Sequence, residues 1–310
     1  MPMEISTERK YSFKYTDKDS SVPVINDCIC ELQAGLAQYY IMSAVKHMKL
    51  KEAVNGDDVE GIVSSFSDLD EYLWDSLKEA LEISHKYIKK YFSDRSRFPP
   101  RITIKAPYGE SQIVDLYRKD KSPFSEFLVD ENSAFKYIKD TGMYYICNDI
   151  PLAVSEEKYK NKRINGQMVR NNYSQPGMIK KGYMKVIGQP EVDAAWESCW
   201  DTGSPDNRPH TESCYKSTLV VPMTLINASL RREFLNYMFD GEEILQKDDE
   251  YKKLMFGFLC VDHRHTGYFN HESDVRIGYI IADLLSLFLV TRVMCTTKSR
   301  TYQYAKEIQN

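Results

Sequence analysis

The chain has no block or stripe of basic residues: 41 Lys and Arg stand against 45 Asp and Glu, a formal net charge of −4 over 310 residues. Nucleic-acid binding, which needs clustered positive charge, is therefore not expected. No basic-then-apolar segment follows Met1-Pro2-Met3-Glu4-Ile5, so no secretory signal is read there. The most apolar run, Ile277 to Met294, carries Asp283 and Arg292. A charge at mid-span is costly in lipid, so this run reads as a buried domain helix and no membrane partner is expected. There is no Gly-rich phosphate loop, no nucleophile elbow and no His-Glu-x-x-His. Internal repeats and low-complexity tracts are also absent. The cysteines number seven, an odd and irregularly spaced set that argues against a disulfide framework and for the reduced thiols of a cytoplasmic protein.

What is present fits a globular protein with a full core: 42% hydrophobic and 28% charged residues. Tyrosine is abundant at 22 residues, and its apolar body with a polar tip suits pockets and interfaces as well as ordinary packing. Residues 1–20 are polar and read as a flexible arm. A helical segment is expected over 21–96. Its first helix carries Ile25, Cys28, Ile29, Leu32, Leu36, Tyr39, Tyr40, Ala44, Val45 and Met48 at three- and four-residue steps. Asn55-Gly56-Asp57-Asp58 breaks the pattern, and a second helix is expected to start at Ser67 or Asp68 and to end before Phe98-Pro99-Pro100. The two helices suit either an intramolecular hairpin or arms that pair with a second copy or a partner protein.

From Arg101 the period changes to two. Ile102 and Ile104, then Ile113, Leu116 and Tyr117, read as strands about a turn at Pro107-Tyr108-Gly109-Glu110. Glu131 to Lys139 reads as a helix ended by Thr141-Gly142, and Met143 to Cys147 as a short strand before Asn148-Asp149-Ile150-Pro151. Two insertions are expected. One, over 163–214, is long, irregular and rich in Gly and Pro, with a short helix at Ala194 to Trp200. The other, over 227–251, is read as a helix from Ser229 to Phe239 and an acidic loop, Asp240-Gly241-Glu242-Glu243. Ser217 to Met223 and Phe256 to Asp262 read as neighbouring buried strands, and Val275 to Met294 as the final helix. Residues 296–310 are read as a C-terminal tail.

Several features occur in one order: the strand Ser217-Thr218-Leu219-Val220-Val221-Pro222, the strand Gly257-Phe258-Leu259-Cys260-Val261-Asp262, Phe269 and then Asp274 at a helix start. With the Asn148 to Pro151 corner before them, residues 97–295 resemble a GAF domain. The resemblance implies an α/β (α+β) fold, a central antiparallel sheet flanked by helices and preceded by the N-terminal helical segment. It also implies a non-catalytic small-molecule sensor or regulator that signals through its N-terminal helices or a partner. Cyclic-nucleotide-binding members carry an Asn-Lys, Phe, Asp-Glu set. This chain has Asp262-His263, Phe269 and Ser273-Asp274 there, which argues against that ligand. No cysteine lies in a chromophore-attachment motif, and no kinase, cyclase or helix-turn-helix signature follows the last helix.

The pocket implied by the resemblance would be lined by Tyr144, Asn148, Asp149, Trp196, Trp200, Tyr215 and Ser217, apolar walls with a few polar groups. The ligand is an unidentified small molecule, no cofactor is named, and a homodimer or partner protein would carry the signal. Two alternatives stay open. Cys214, just before the Ser-Thr-Leu-Val-Val-Pro strand, resembles the attacking cysteine of free methionine sulfoxide reductases. A ligand-free interaction or dimerisation scaffold is the other. His263, His265 and His271 lie near Asp262 and Glu272, ligand types that suit zinc. Their spacing fits no metal motif, so they read as a solvated loop, and Glu272 and Asp274 as complements to a helix dipole.

Overall fold

The computed structural model describes residues 21–56, 58–93, 96, 98–108, 112–118, 127–173, 195–200, 214–226 and 253–309. The expected arm over 1–20, the whole 227–251 insertion and much of the 163–214 stretch lie outside the described residues.

Two helices precede the sheet, α1 (Ser21–Asn55) and α2 (Val59–Ser93). α2 starts well before the expected Ser67 or Asp68, because Asp58 supplies the cap: its carboxylate accepts from the Gly61 N–H at 2.9 Å. Among the described residues six strands follow: β1 (Arg101–Tyr108), β2 (Gln112–Arg118), β3 (Phe127–Leu128), β4 (Tyr145–Cys147), β5 (Ser217–Ile226) and β6 (Lys253–His263). They form one sheet in the order β3-β2-β1-β6-β5-β4, so the chain is of the mixed α/β class with helices ahead of the sheet. β1 pairs antiparallel with β2 and β6, β2 with β3, and β4 with β5. The β1–β2 register slips at Ile104/Lys105, so Ile104 faces Tyr117 while Lys105 faces Asp115. That slip is a β-bulge: one extra residue, Leu116, on β2.

Between β3 and β4 lies α3 (Ser133–Thr141), capped by the Asn132 side chain, which accepts from the Ala134 N–H at 2.9 Å. It ends at Gly142, whose φ of 65° is the left-handed conformation that glycine adopts without strain. After β4 come α4 (Ile150–Ser155) and α5 (Gly166–Tyr173). α5 occupies part of the stretch read as irregular. Asn165 caps it by accepting from the Met168 N–H at 3.1 Å, a signal the run of Gly and Pro downstream obscured. The last helix, α6 (Ser273–Gln309), continues far past Met294, so 296–309 is helical where a tail was expected. No helix among the described residues is long and apolar enough to cross a membrane.

The chain divides into two compact units, each assembled from separate stretches. One takes residues 1–21, 88–222 and 258–279, and the other 22–87, 223–257 and 280–310. The expected partition, 21–96 and then 97–295, ran along the chain; the units instead group residues distant in sequence. In the helical unit the α1 stripe of Cys28, Leu32 and Tyr39 is buried, as is the α2 stripe of Leu69, Leu73, Leu77 and Leu81. α6 from Ile280 onward belongs to the same unit. Tyr39 donates to the Phe288 carbonyl at 3.1 Å with ring centroids 5.0 Å apart, and Arg292 meets Asp70 at 3.3 Å and the Trp74 ring at 5.0 Å. In the sheet unit, α6 lies close on β5: a Cβ added at Gly278 would come within 2.7 Å of a Val221 methyl. Helix and sheet approach there only because position 278 has no side chain.

Candidate functional site

Strand alternation would give β1 an apolar face and a wet one. Ile102 and Ile104 are 3% and 0% exposed, yet Thr103 and Lys105, on the other face, are only 1% and 6% exposed. A covered polar strand face needs partners, because burying polar groups without hydrogen bonds is costly. In register, Arg101 lies opposite Asp262 and Thr103 opposite Cys260 on β6. Thr218 and Val220 of β5 share the cavity side of the sheet. The start of α3, with Ala134 and Phe135, the segment Tyr159 to Arg163, and the rings of Trp200 and Tyr215 form the opposing wall. The cavity between them holds about 490 Å³ of empty space, counting what is open to solvent. By the measure in which a single water needs roughly 10–15 Å³, the cavity volume is about 40 Å³, which suits a small ligand.

Its walls are largely locked by hydrogen bonds. Thr218 donates to Asp262 at 2.7 Å, and the Asn161 amide donates to the Tyr215 hydroxyl at 3.0 Å. Burial pushes the Tyr159 and Tyr215 hydroxyls above their usual pKa, so both stay neutral and keep their protons. Lys105 is ion-paired with Asp115, both buried. The Trp200 ring meets Tyr215 edge-on at 5.0 Å and Trp196 at 5.8 Å. Trp196 donates its Nε1 proton to the Cys214 carbonyl at 3.1 Å. Buried polar atoms of the wall break the pattern. Thr103 Oγ1 and Trp200 Nε1 are buried and have no hydrogen-bond partner among the described residues. Their residues are 1% and 6% exposed. Such groups are rare in folded proteins, and each calls for an explanation.

Of the seven residues expected to line a pocket, Trp200 and Tyr215 do so, with Trp196 packed behind Trp200. The other four do not line this cavity. Tyr144 donates its backbone N–H to the Tyr279 hydroxyl at 3.1 Å. Asn148 clamps the backbone of Phe269, accepting from its N–H at 2.9 Å and donating to its carbonyl at 2.8 Å. Asp149 caps α4 through the Leu152 N–H at 3.0 Å, and Ser217 donates to the His265 carbonyl at 2.7 Å. Those of Asn148, Asp149 and Ser217 are structural roles of short polar side chains at corners and helix starts. The residues missed are Arg101, Thr103, Lys105, Asn161, Arg163 and Asp262. The signal was the polar half of β1, Arg101-Thr103-Lys105, alternating with the core isoleucines.

The expected solvated histidine loop is not solvated at His263. That ring is 1% exposed and stacks on Tyr268 with centroids 3.4 Å apart. One ring nitrogen lies 3.1 Å from the Phe98 carbonyl, and the other accepts from the His265 N–H at 3.1 Å. The first must then carry the proton, and the ring is neutral. Desolvation holds its pKa down at about 3. Among the described residues no group of three or more His, Cys, Asp or Glu could hold a metal ion. Asp274 does more than complement a dipole: it is buried and accepts from Tyr91 at 3.0 Å and from the Asn270 N–H at 2.8 Å. Cys214 is 3% exposed, and burial pushes its thiol up to about 12, the reverse of what an attacking thiolate needs.

No protein-family model matches the chain, and no curated protein does either.

Proposed function

We propose that this protein is a non-catalytic, GAF-like sensor of the cytoplasm that binds a small molecule in the cavity between β1, β5, β6 and α3, and reports it through α2. The observation that carries the reading is that Thr103 Oγ1 and Trp200 Nε1, buried and without a hydrogen-bond partner among the described residues, belong to residues lining one cavity. A ligand that hydrogen-bonds both removes the cost of burying these groups without partners. The order of the elements, from entering helix through paired strands to the long last helix, agrees with the GAF resemblance. The path to α2 is short: pocket residue Asp262 precedes His263, which stacks on Tyr268, and the Tyr268 hydroxyl donates to the Phe92 carbonyl of α2 at 2.7 Å. A ligand shifts an equilibrium only where it binds two states unequally, so the output is a change in α2.

The test uses a small-molecule extract of the producing cells. It is expected to raise the melting temperature of the wild-type protein and to slow hydrogen exchange at the C-terminal end of α2. Ala134→Met, which pushes a longer side chain into the cavity from a position 2% exposed, is expected to abolish both effects. Equal stabilisation of both proteins, or of neither, together with a bare-chain mass in native spectrometry, defeats the reading.

One observation favours the scaffold alternative as a companion role. Ile41, Val45 and Met48 of α1 recur at helical spacing and are 65%, 43% and 61% exposed, an apolar stripe fit for a second copy or a partner protein. If the stripe pairs with a second copy, sedimentation gives a dimer and Ile41→Lys/Met48→Lys a monomer of unchanged melting temperature. A monomeric wild-type protein removes self-association.

A further inference from the structure

The unpartnered atoms also constrain what the ligand is, an inference that rests on the cavity being the ligand site proposed above. Trp200 Nε1 is a donor and nothing else, so whatever satisfies it must present an acceptor. Thr103 Oγ1 can donate to the same ligand or accept from it. Both groups are neutral. The charged side chains of the wall, Arg101, Lys105, Arg163 and Asp262, are each engaged in the protein's own contacts. The Tyr159 and Tyr215 hydroxyls stay protonated and are bonded to each other. An ionised ligand taken out of water needs an opposite charge committed to it, whereas a neutral oxygen is satisfied by neutral donors alone. The rings of Phe135, Tyr159, Trp200 and Tyr215 give the cavity flat apolar surfaces, and its volume of about 40 Å³ admits a group of few atoms. A carbonyl meets these requirements together, with a flat centre, an acceptor oxygen and no charge. We infer that the cavity binds a small neutral carbonyl compound, an amide or a ketone, whose oxygen accepts from Trp200 Nε1, with Thr103 Oγ1 as a second hydrogen-bonding group.

The experiment follows the indole N–H signals of the isotope-labelled full chain by NMR. The tryptophans are Trp74, Trp196 and Trp200, and Trp200→Phe identifies the Trp200 signal by its loss. The probes, at fixed ionic strength, are acetamide, acetone, sodium acetate and acetamidinium chloride; acetamidinium keeps the shape of acetamide and has no acceptor. They are titrated into the high millimolar range, since so few atoms do not bind tightly. Acetamide or acetone is expected to move the Trp200 signal downfield and saturably as its N–H gains an acceptor, and the stronger of the two separates amide from ketone. Acetate is expected to bind more weakly than that probe, and acetamidinium to leave the signal in place. Trp196, already donating to the Cys214 carbonyl at 3.1 Å, reports in the same spectrum that the fold is kept. Thr103→Val keeps the shape and loses the hydroxyl. It is expected to weaken the carbonyl probe about five-fold, the usual worth of one neutral hydrogen bond, and Thr103→Ser to restore it. Where a variant does not keep the fold, the wild-type titrations decide by themselves. Acetate binding as tightly as the better carbonyl probe, acetamidinium acting as well as acetamide, no saturable movement with either carbonyl, or a folded Thr103→Val binding like the wild type overturns the inference. The extract experiment with Ala134→Met is independent of these probes. An extract that stabilises only the wild type, beside inert carbonyls, would reject the carbonyl and leave the ligand site standing.

Discussion

Asp115→Ala is expected to destabilise the protein by about 3–5 kcal/mol, the usual cost of leaving one partner of a buried ion pair uncompensated. Lys105 and Asp115 are the cross-strand pair that the β2 bulge brings opposite each other, and their side chains are 7% and 0% exposed. Lys105 extends along a face where water does not replace the lost carboxylate. The double variant Lys105→Met/Asp115→Leu is expected to recover most of the loss and to fall within about 1 kcal/mol of the wild type, because a well-packed apolar pair usually matches a buried ionic one. Urea unfolding of the three proteins measures both effects. A single variant that costs less than about 1 kcal/mol would mean that the pair does not hold β1 to β2. A double variant as unstable as the single one would mean that the charges themselves are required.

Acidification is expected to remove stability through His263. The ring is neutral in the fold, with a pKa lowered from 6.5 to about 3 by desolvation, and lies beside His265 and Arg264, whose charges lower it further. The unfolded chain therefore takes up a proton that the folded chain refuses. The contribution is fully present above pH 6.5 and is lost as the pH falls from there toward 3. At about 1.4 kcal/mol per pH unit, lowering the pH from 7 to 5 costs about 2 kcal/mol from this one group. Carboxylates titrate in the lower part of the same range, so the measurement is a difference: urea stability of the wild type minus that of His263→Gln, at pH 7 and at pH 5. The difference is expected to shrink by about 2 kcal/mol in favour of the variant. A difference independent of pH would show that His263 is not held neutral by the packing of Tyr268 and the Phe98 carbonyl.

The helices and strands were readable because each has a period that one buried face imposes. The stripe Leu69, Leu73, Leu77 and Leu81 and the pair Ile102 and Ile104 gave α2 and β1 from their spacing alone. Boundaries set by single polar caps were less legible. Asp58 starts α2 and Asn165 starts α5, yet neither differs in the sequence from an ordinary loop residue. The site was legible only in its aromatic part. Trp200 and Tyr215 stand out by size, whereas Arg101, Thr103 and Lys105 look like the solvent face of a strand until the opposing wall is known. Asn148 and Asp149 drew attention because short polar side chains at a corner suit a ligand. They suit backbone clamping equally well, and that is what their hydrogen bonds do. The burial of His263 followed from Tyr268, five residues on, folding back over the ring, a tertiary contact with no periodic trace.

The interleaving of the two units has a consequence for how the chain comes into being. Each unit draws on stretches separated by parts of the other, so no single cut releases either of them whole. During synthesis β1 and β2 emerge early, while β6, the other neighbour of β1, emerges only after both insertions have been made. The nascent hairpin must then hold one strand edge open, and Lys105 must wait beside Asp115 without its covering wall, until the last third of the chain arrives. Closing so many distant pairings at once makes folding slow and all-or-none in character, and it ties the appearance of the cavity to nearly the final step of assembly.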